Sequence, residues 1–198
     1  MSEYIQSFIL LFALIDPLSS IPVFLEATKT FSDKAKKSIA LKAVFFAGII
    51  LIFFIVTGQI ILETMNISLS AFQISGGVIL FLFSLTMIFG EGKHLLKDQK
   101  NITIFPIAIP SIASPAAIMG VVILTDNHLY TVGEQITTAF ITILVLFVTY
   151  LFLLIARKIQ NKIGESGILV ISKLMGLILA SFAIQNILTG IKEFFKLS

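Results

Sequence analysis

The chain has 198 residues, of which 57% are hydrophobic and only 13% charged, with a formal net charge of +3 and a mean hydropathy of +1.04. This balance excludes a soluble domain and predicts an integral membrane protein that contacts the lipid bilayer and no nucleic acid. Cysteine is absent, which excludes disulfides, thiolate metal sites and a cysteine nucleophile.

Six apolar runs are long enough to cross a hydrocarbon core of about 30 Å at about 1.5 Å per residue. Basic residues are concentrated in the loops after the first, third and fifth runs. The positive-inside rule therefore predicts a multi-pass protein of the cytoplasmic (inner) membrane with both termini outside the cytoplasm. The predicted spans are Ile5–Leu25, Ile39–Leu62, Leu69–Phe89, Ile104–Leu124, Gln135–Ala156 and Ile168–Ile191.

The first span is interrupted by the stretch Asp16-Pro17-Leu18-Ser19-Ser20-Ile21-Pro22. Each proline lacks an N–H and clashes with the carbonyl four residues back, so a continuous helix is excluded there. The carbonyl of Leu18, for example, loses its helical partner at Pro22. In a bilayer such freed carbonyls need protein, water or a ligand, and breaks of this kind are typical of transport sites.

Asp16 is the only carboxylate placed deep inside an apolar run. An ionisable residue at that depth indicates substrate binding or ion coupling, and we expect Asp16 to receive an ammonium group, a proton or a sodium ion. The alternative is a structural role, in which its side chain accepts a hydrogen bond from the N–H of Leu18 or Ser19 and caps the broken helix.

The second span follows Ser32, a predicted N-cap, and has the pattern of a scaffold helix. The third span carries Gln73, Gly76 and Gly77, and the sixth carries Gly176. Small and polar residues let membrane helices approach closely. We expect these four residues either to pack helices or to line the site.

The fourth span contains Pro110-Ser111-Ile112-Ala113-Ser114-Pro115, in which the prolines have the same spacing as Pro17 and Pro22. Ser114-Pro115 predicts a helix start, with serine as the N-cap and proline at the first helical position. The first and fourth helices of the six are therefore both predicted to be broken by proline motifs.

The two halves of the chain also share a second match, Gly77-Val78-Ile79-Leu80 with Gly176-Leu177-Ile178-Leu179. We predict an all-α membrane protein with a single transmembrane domain over 1–198. It consists of one three-helix repeat at about 1–92, a linker at about 93–103 and a second repeat at about 104–198. Because three is odd, the second repeat is inverted relative to the first.

Two half-helices would begin at the breaks with their N-termini facing each other near the midplane. Each end carries unpaired N–H groups and about half a positive charge, which favours a carboxylate. Together with Asp16, this arrangement fits a small zwitterion such as an amino acid. The predicted substrate site comprises Asp16, Pro17, Ser19, Ser20, Pro22, Pro110, Ser111, Ala113, Ser114, Pro115 and Ala116.

Other functions remain open at this point. Freed carbonyls with Asp16 would also suit a cation channel, and an assembly subunit without a substrate is a third reading. An enzyme is not predicted, because there is no Ser-His pair and no metal-ligand spacing, and His94 and His128 fall in loops on opposite sides. No cofactor is predicted.

The stretch Ile15-Asp16-Pro17-Leu18-Ser19-Ser20-Ile21-Pro22-Val23-Phe24 resembles the first signature of the MarC/SnatA family of inner-membrane proteins. Pro106-Ile107-Ala108-Ile109-Pro110-Ser111-Ile112-Ala113-Ser114-Pro115 resembles its second. Ile74-Ser75-Gly76-Gly77 and Met175-Gly176-Leu177-Ile178-Leu179 are also similar to the family, so the likeness covers essentially the whole chain.

The resemblance implies six spans and, for SnatA-like members, transport of small neutral amino acids such as glycine and alanine. We therefore expect a secondary transporter coupled to a proton or sodium gradient, with a cation channel or another small-solute exporter as the alternative. The chain departs from the family pattern at two places. Ser19-Ser20 stands where the family usually has Gly-Asn, and Ser114 stands where it usually has Gly.

Overall fold

The computed structural model describes residues 2–89, 103–127 and 129–196, and in these ranges every regular element is helical. The predicted linker, apart from Thr103, lies outside the described residues, as do His94 and His128. The elements are α1 (Ser2–Ile15), α2 (Ser20–Ala27), α3 (Asp33–Thr64), α4 (Leu69–Phe89), a π-helical segment (Thr103–Ile112), α5 (Pro115–Ile123) and a helical stretch over Val132–Phe194.

The last helical stretch is divided at Gly164, whose backbone angles (φ 77°, ψ 165°) are not helical. Its two parts are α6 (Val132–Gly164) and α7 (Leu169–Phe194). Among the described residues, five helices are long and apolar enough to cross a membrane. They are Tyr4–Ala27, which includes α1 and α2, followed by α3, α4, α6 and α7. The all-helical prediction is therefore confirmed, and five of the predicted spans have a matching helix.

The fourth predicted span is not one long helix. It consists of the π-helical segment and α5, each too short to cross a membrane alone. Pro106 and Pro110 lie inside the segment and have no N–H, so the usual ladder of bonds four residues apart cannot form there. The bond from Ala113 N–H to the Ala108 carbonyl (2.9 Å) spans five residues instead.

Both interruptions that the proline pairs predict are present. The first lies between Ile15 and Ser20, and the second lies at Ala113-Ser114. Ser114 is the N-cap of α5, with its hydroxyl accepting from Ala117 N–H (3.1 Å) and Pro115 following it. Ser32 caps α3 in the same way by accepting from Ala35 N–H (3.3 Å), as predicted.

Glycines allow a close contact between α4 and α7. A Cβ on Gly77 would lie 2.9 Å from the Ala183 carbonyl oxygen, and one on Gly176 would lie 3.1 Å from the Ser84 carbonyl oxygen. At the far end, a Cβ on Gly190 would lie 2.7 Å from the Ser70 carbonyl oxygen. From one of these contacts to the next, the residue number increases along α4 and decreases along α7. The two helices therefore pack antiparallel.

The two long helices, α3 with 32 residues and α6 with 33, meet where a Cβ on Gly48 would lie 3.3 Å from Leu146. The short helix α5 fits between α3 and α1, because Gly58 faces Val122 and Gly120 faces Leu14. Helix types follow the same order in each half of the chain, namely a broken helix, a long helix and a shorter one of 21 or 26 residues.

Candidate functional site

Asp16 occupies the first break in a left-handed backbone conformation (φ 45°) and is only 3% exposed. Its carboxylate Oδ1 accepts from the N–H of Ser19 (3.2 Å). Its carbonyl oxygen lies 3.1 Å from the Ser19 hydroxyl and 3.4 Å from Ser20 N. The hydrogen bond expected for the structural role of Asp16 is thus present: its carboxylate caps the turn that leads into α2, whose own N-cap residue is Ser19.

The other carboxylate oxygen of Asp16, Oδ2, is buried and has no hydrogen-bond partner among the described residues. A buried polar atom without a partner costs free energy, so such atoms are rare and call for an explanation. Oδ2 can accept a proton, an ammonium group or a cation without disturbing the cap that Oδ1 provides.

The two breaks touch through serine hydroxyl groups. The hydroxyl of Ser111 donates to the Ser20 hydroxyl oxygen (3.0 Å). The Ser20 hydroxyl lies 3.5 Å from the Ser111 carbonyl oxygen, which Pro115 leaves without a helical donor, and 3.3 Å from the carbonyl oxygen of Asp16. Ser20 has one hydroxyl hydrogen, so it serves one of these carbonyls at a time.

A second contact also joins the two breaks, with a serine of the second break donating to a carbonyl beside the first. The Ser114 hydroxyl donates to the Leu14 carbonyl oxygen (3.2 Å), which lies in the last turn of α1. Each break therefore supplies a hydroxyl to a free carbonyl of the other. The Leu18 carbonyl, which has no helical donor at Pro22, is satisfied by the protein itself, because a tight turn lets it accept from the N–H of Ile21 (3.2 Å).

The N–H groups in the first turn of α5 differ in what the surrounding residues do with them. Pro115 has no N–H, Ala117 N–H is bound by the Ser114 hydroxyl, and Ile118 N–H donates to the Ser114 carbonyl (3.0 Å). Ala116 is only 1% exposed and is the second residue of α5, in the first turn, where N–H groups have no acceptor within their own helix. The contact between Ser114 and Leu14 places this donor beside the break that holds Asp16.

The remaining predicted site residues divide between the breaks and the helix contacts. Pro17 and Ala113 are buried within the breaks, whereas the side chain of Pro22 is exposed. Pro110 lies in the π-helical segment. Gly76 packs against Met119 of α5, so it joins Gly77 and Gly176 as a helix-contact position.

Gln73 lies in the contact between α4 and α7, where a Cβ on Gly190 would be 3.3 Å from its Cβ. It is 5% exposed, and its Oε1 has no partner in the part of the chain that the structure describes. Gln73 is therefore a second buried acceptor within a membrane-spanning helix, outside the two breaks.

Sequence reasoning missed a polar network at the C-terminal end of α5. Asn127 N–H donates to Gln59 Oε1 of α3, and Gln135 of α6 donates to Asn127 Oδ1 (2.8 Å). The Thr138 hydroxyl also donates to the Leu124 carbonyl (3.4 Å). These residues lie far apart in sequence and form no motif, so no local pattern indicates them.

Comparison with known proteins gives the family. The model of the MarC family integral membrane protein matches residues 1–195. The chain belongs to the MarC family. This confirms the family resemblance carried by the motifs around the two breaks.

Several relatives of this MarC family protein match over nearly their whole length. A UPF0056 membrane protein of Buchnera aphidicola subsp. Schizaphis graminum is 33% identical, covering 99% of this chain and 100% of its own. UPF0056 membrane protein MJ1677 of Methanocaldococcus jannaschii is 32% identical, covering 96% of each chain. UPF0056 membrane protein YvbG of Bacillus subtilis is 30% identical, covering 98% of this chain and 96% of its own. No solved structure matches.

The serine contact between the breaks of this MarC family protein can be measured by a double-mutant cycle. Ser20→Ala and Ser111→Ala both remove the hydrogen bond between the two hydroxyls, so each should lower the free energy of unfolding in mixed micelles by about 0.5–1.5 kcal/mol, with Ser20→Ala at the upper end because it also loses the bond that Ser20 donates to a carbonyl. The double variant should lose little more than one single variant. Ser75→Ala is the matched control, since Ser75 is exposed and bonds only within its own helix. Strictly additive losses would show that the two hydroxyls do not interact.

Proposed function

We propose that this MarC family protein is a secondary transporter of small neutral amino acids such as glycine and alanine, driven by a proton or sodium gradient across the cytoplasmic membrane. The observation that carries the proposal is the unsatisfied, buried Asp16 Oδ2 at one break, with the buried first turn of α5 at Ala116 beginning at the other. An amino acid supplies the complement of both, an ammonium group for Asp16 and a carboxylate for the start of α5.

The substrate carboxylate in this proposal binds to α5 alone. The sequence suggested that both half-helices offer free N–H groups, but at α2 the Asp16 carboxylate accepts from Ser19 N–H, and the N–H groups of Ser20 and Ile21 donate to backbone carbonyls. Asp16 therefore holds α2 in place with Oδ1 and faces the ammonium group or the coupling ion with Oδ2. This division of roles explains why one residue serves both the cap and the site.

The breaks are closed in this conformation, because Asp16, Ser20 and Ser114 are at most 3% exposed. We propose that substrate enters when the Ser20–Ser111 and Ser114–Leu14 contacts separate. The network of Gln59, Asn127 and Gln135 fastens the outer end of α5, so α5 stays with α3 and α6 while the breaks open.

The inverted arrangement of two three-helix repeats is part of this proposal. It is supported by the matching order of helix types and by the antiparallel contact of α4 with α7. Gly77 faces Ala183 and Ile187 on the partner helix, while Gly176 faces Ser84 and Ile88. Each of the two matching glycines therefore packs against the helix that carries the other. This is expected when equivalent helices of two inverted repeats pack against each other.

The proposed orientation has both termini outside the cytoplasm, in the inner membrane. It places the segments around Lys36, Lys97 and Lys158 inside, and Met65 and Asn127 outside. Lys36 lies in the first turn of α3 and Lys158 in the last part of α6, and Lys97 lies outside the described residues. Because the chain has no cysteine, single cysteines at these positions can be labelled with a membrane-impermeant reagent to check the assignment.

The cation channel receives less support from the geometry. Such a channel needs free carbonyl oxygens to replace the hydration shell of the ion. The carbonyls of Leu14 and Leu18 already accept hydrogen bonds, and the Ser111 carbonyl lies within reach of the Ser20 hydroxyl.

Uptake into proteoliposomes tests the proposed function. Labelled glycine, alanine and serine should enter saturably, and an imposed pH or sodium gradient should drive accumulation above the equilibrium level. Empty liposomes and a gradient collapsed with an ionophore are the controls. Ion conductance across a planar bilayer without saturable amino-acid uptake would overturn the transporter proposal in favour of the channel.

A further inference from the structure

The lipid-facing side of α7 carries polar residues in the middle of a membrane-spanning helix. Ser181 and Gln185 are both exposed and lie one turn apart. Ser181 is near the centre of α7, which has 26 residues. Gln185 lies about 6 Å farther along the axis at about 1.5 Å per residue. The edge of a hydrocarbon core about 30 Å thick is then about 9 Å beyond Gln185, farther than its side chain reaches.

The amide of Gln185 is incompletely satisfied. Its Nε2 donates to the Thr189 hydroxyl oxygen (3.2 Å), and no group in the described part of the chain donates to its Oε1. Ser181 differs, because its hydroxyl donates to the Leu177 carbonyl of its own helix (3.0 Å). Lipid tails offer no donor, so an exposed amide at this depth favours association with another polar group.

The surroundings of Gln185 suit a facing helix. Ser181 is small enough to permit close approach, and the exposed side chains of Leu177, Ile184 and Leu188 flank the two polar residues. On one side this face adjoins an apolar groove of about 300 Å³ between α1 and α7, lined on α7 by Ile178, Leu179 and Phe182. The groove offers room for apolar side chains of a neighbouring helix.

We infer that this face of α7 binds the same face of a second copy of the chain, with the two Gln185 amides hydrogen-bonded to each other. An amide carries both a donor and an acceptor, so it is complementary to itself across a two-fold axis. A second copy is the one partner that always presents a matching amide at the same depth. The axis lies along the membrane normal, because both copies share one orientation in the bilayer.

Cysteine crosslinking of the full-length chain in membranes tests this interface. Ser181→Cys should form disulfide-linked dimers on mild oxidation, because the residue lies beside the axis. Ser75→Cys is the matched control, as Ser75 is an exposed serine of the membrane-spanning helix α4 on another face. Equal crosslinking of the two variants, or crosslinking of Ser181→Cys only to a different protein, would overturn the inferred dimer.

The role of the amide pair is tested by Gln185→Leu in the same membranes. Dimer association measured by energy transfer between labelled copies should weaken about ten-fold, which is the expected loss for membrane amide hydrogen bonds. Thermal stability of the monomer should not change, since Gln185 is exposed. Gln185→Asn, which keeps the amide, should restore part of the association. Unchanged association of Gln185→Leu would show that the amides do not hold the two copies together.

Discussion

Replacing Asp16 with asparagine is expected to abolish gradient-driven accumulation of glycine while the protein remains folded. Asparagine keeps an oxygen in the place of Oδ1, which accepts from Ser19 N–H (3.2 Å), and it tolerates the left-handed backbone at this position. It removes the negative charge and the titration that coupling requires. In proteoliposomes with an imposed pH or sodium gradient, the ratio of internal to external glycine should fall to about one, the value for uncoupled exchange.

The matched control for this variant is Asp33→Asn, because Asp33 is an exposed acid in the first turn of α3. It should transport like the unmodified protein. A folded Asp16→Asn protein whose uptake keeps the original dependence on pH and sodium would remove Asp16 from coupling. Its role would then be limited to the cap on the turn that leads into α2.

Glycine is expected to bind this protein about 5- to 150-fold more tightly than glycinamide does. The proposed site gives the carboxylate the Ala116 N–H and the positive end of α5, and amidation removes the charge that these groups favour. In a desolvated site this difference is about 1–3 kcal/mol. Competition binding to purified protein measures it directly.

The same competition distinguishes the carboxylate site from recognition of the ammonium group alone. Both ligands carry an ammonium group, so Asp16 binds both. Equal affinities for glycine and glycinamide would contradict a carboxylate site at α5. Weak binding of both ligands with strong dependence on added cations would favour the channel.

The sequence predicts the helices well because hydropathy and proline chemistry act locally. Apolar runs of sufficient length give the membrane helices, and two proline pairs with equal spacing give both breaks. The Ser114 and Ser32 caps also follow from local patterns, in which a serine precedes a helix start.

The details of the site depend on contacts between distant residues, which local patterns do not contain. Ser20 meets Ser111 across 91 positions, and Ser114 meets Leu14 across 100. The sequence places Asp16 just before a helix start. It does not show whether the N–H groups there donate to a substrate or to Asp16 itself. It likewise shows Gln185 in an apolar run but not which side of α7 faces lipid.

The antiparallel contact of α4 with α7 has a consequence for how the chain is made. Its closest approaches, at Gly77, Gly176 and Gly190, join α4 to α7, the last helix that the structure describes. During synthesis, α4 enters the bilayer long before its partner emerges from the ribosome. The glycine face of α4 therefore stays in contact with lipid or the insertion machinery until α7 has been made. A product truncated before α7 cannot bury this face, which makes it a target for membrane quality control.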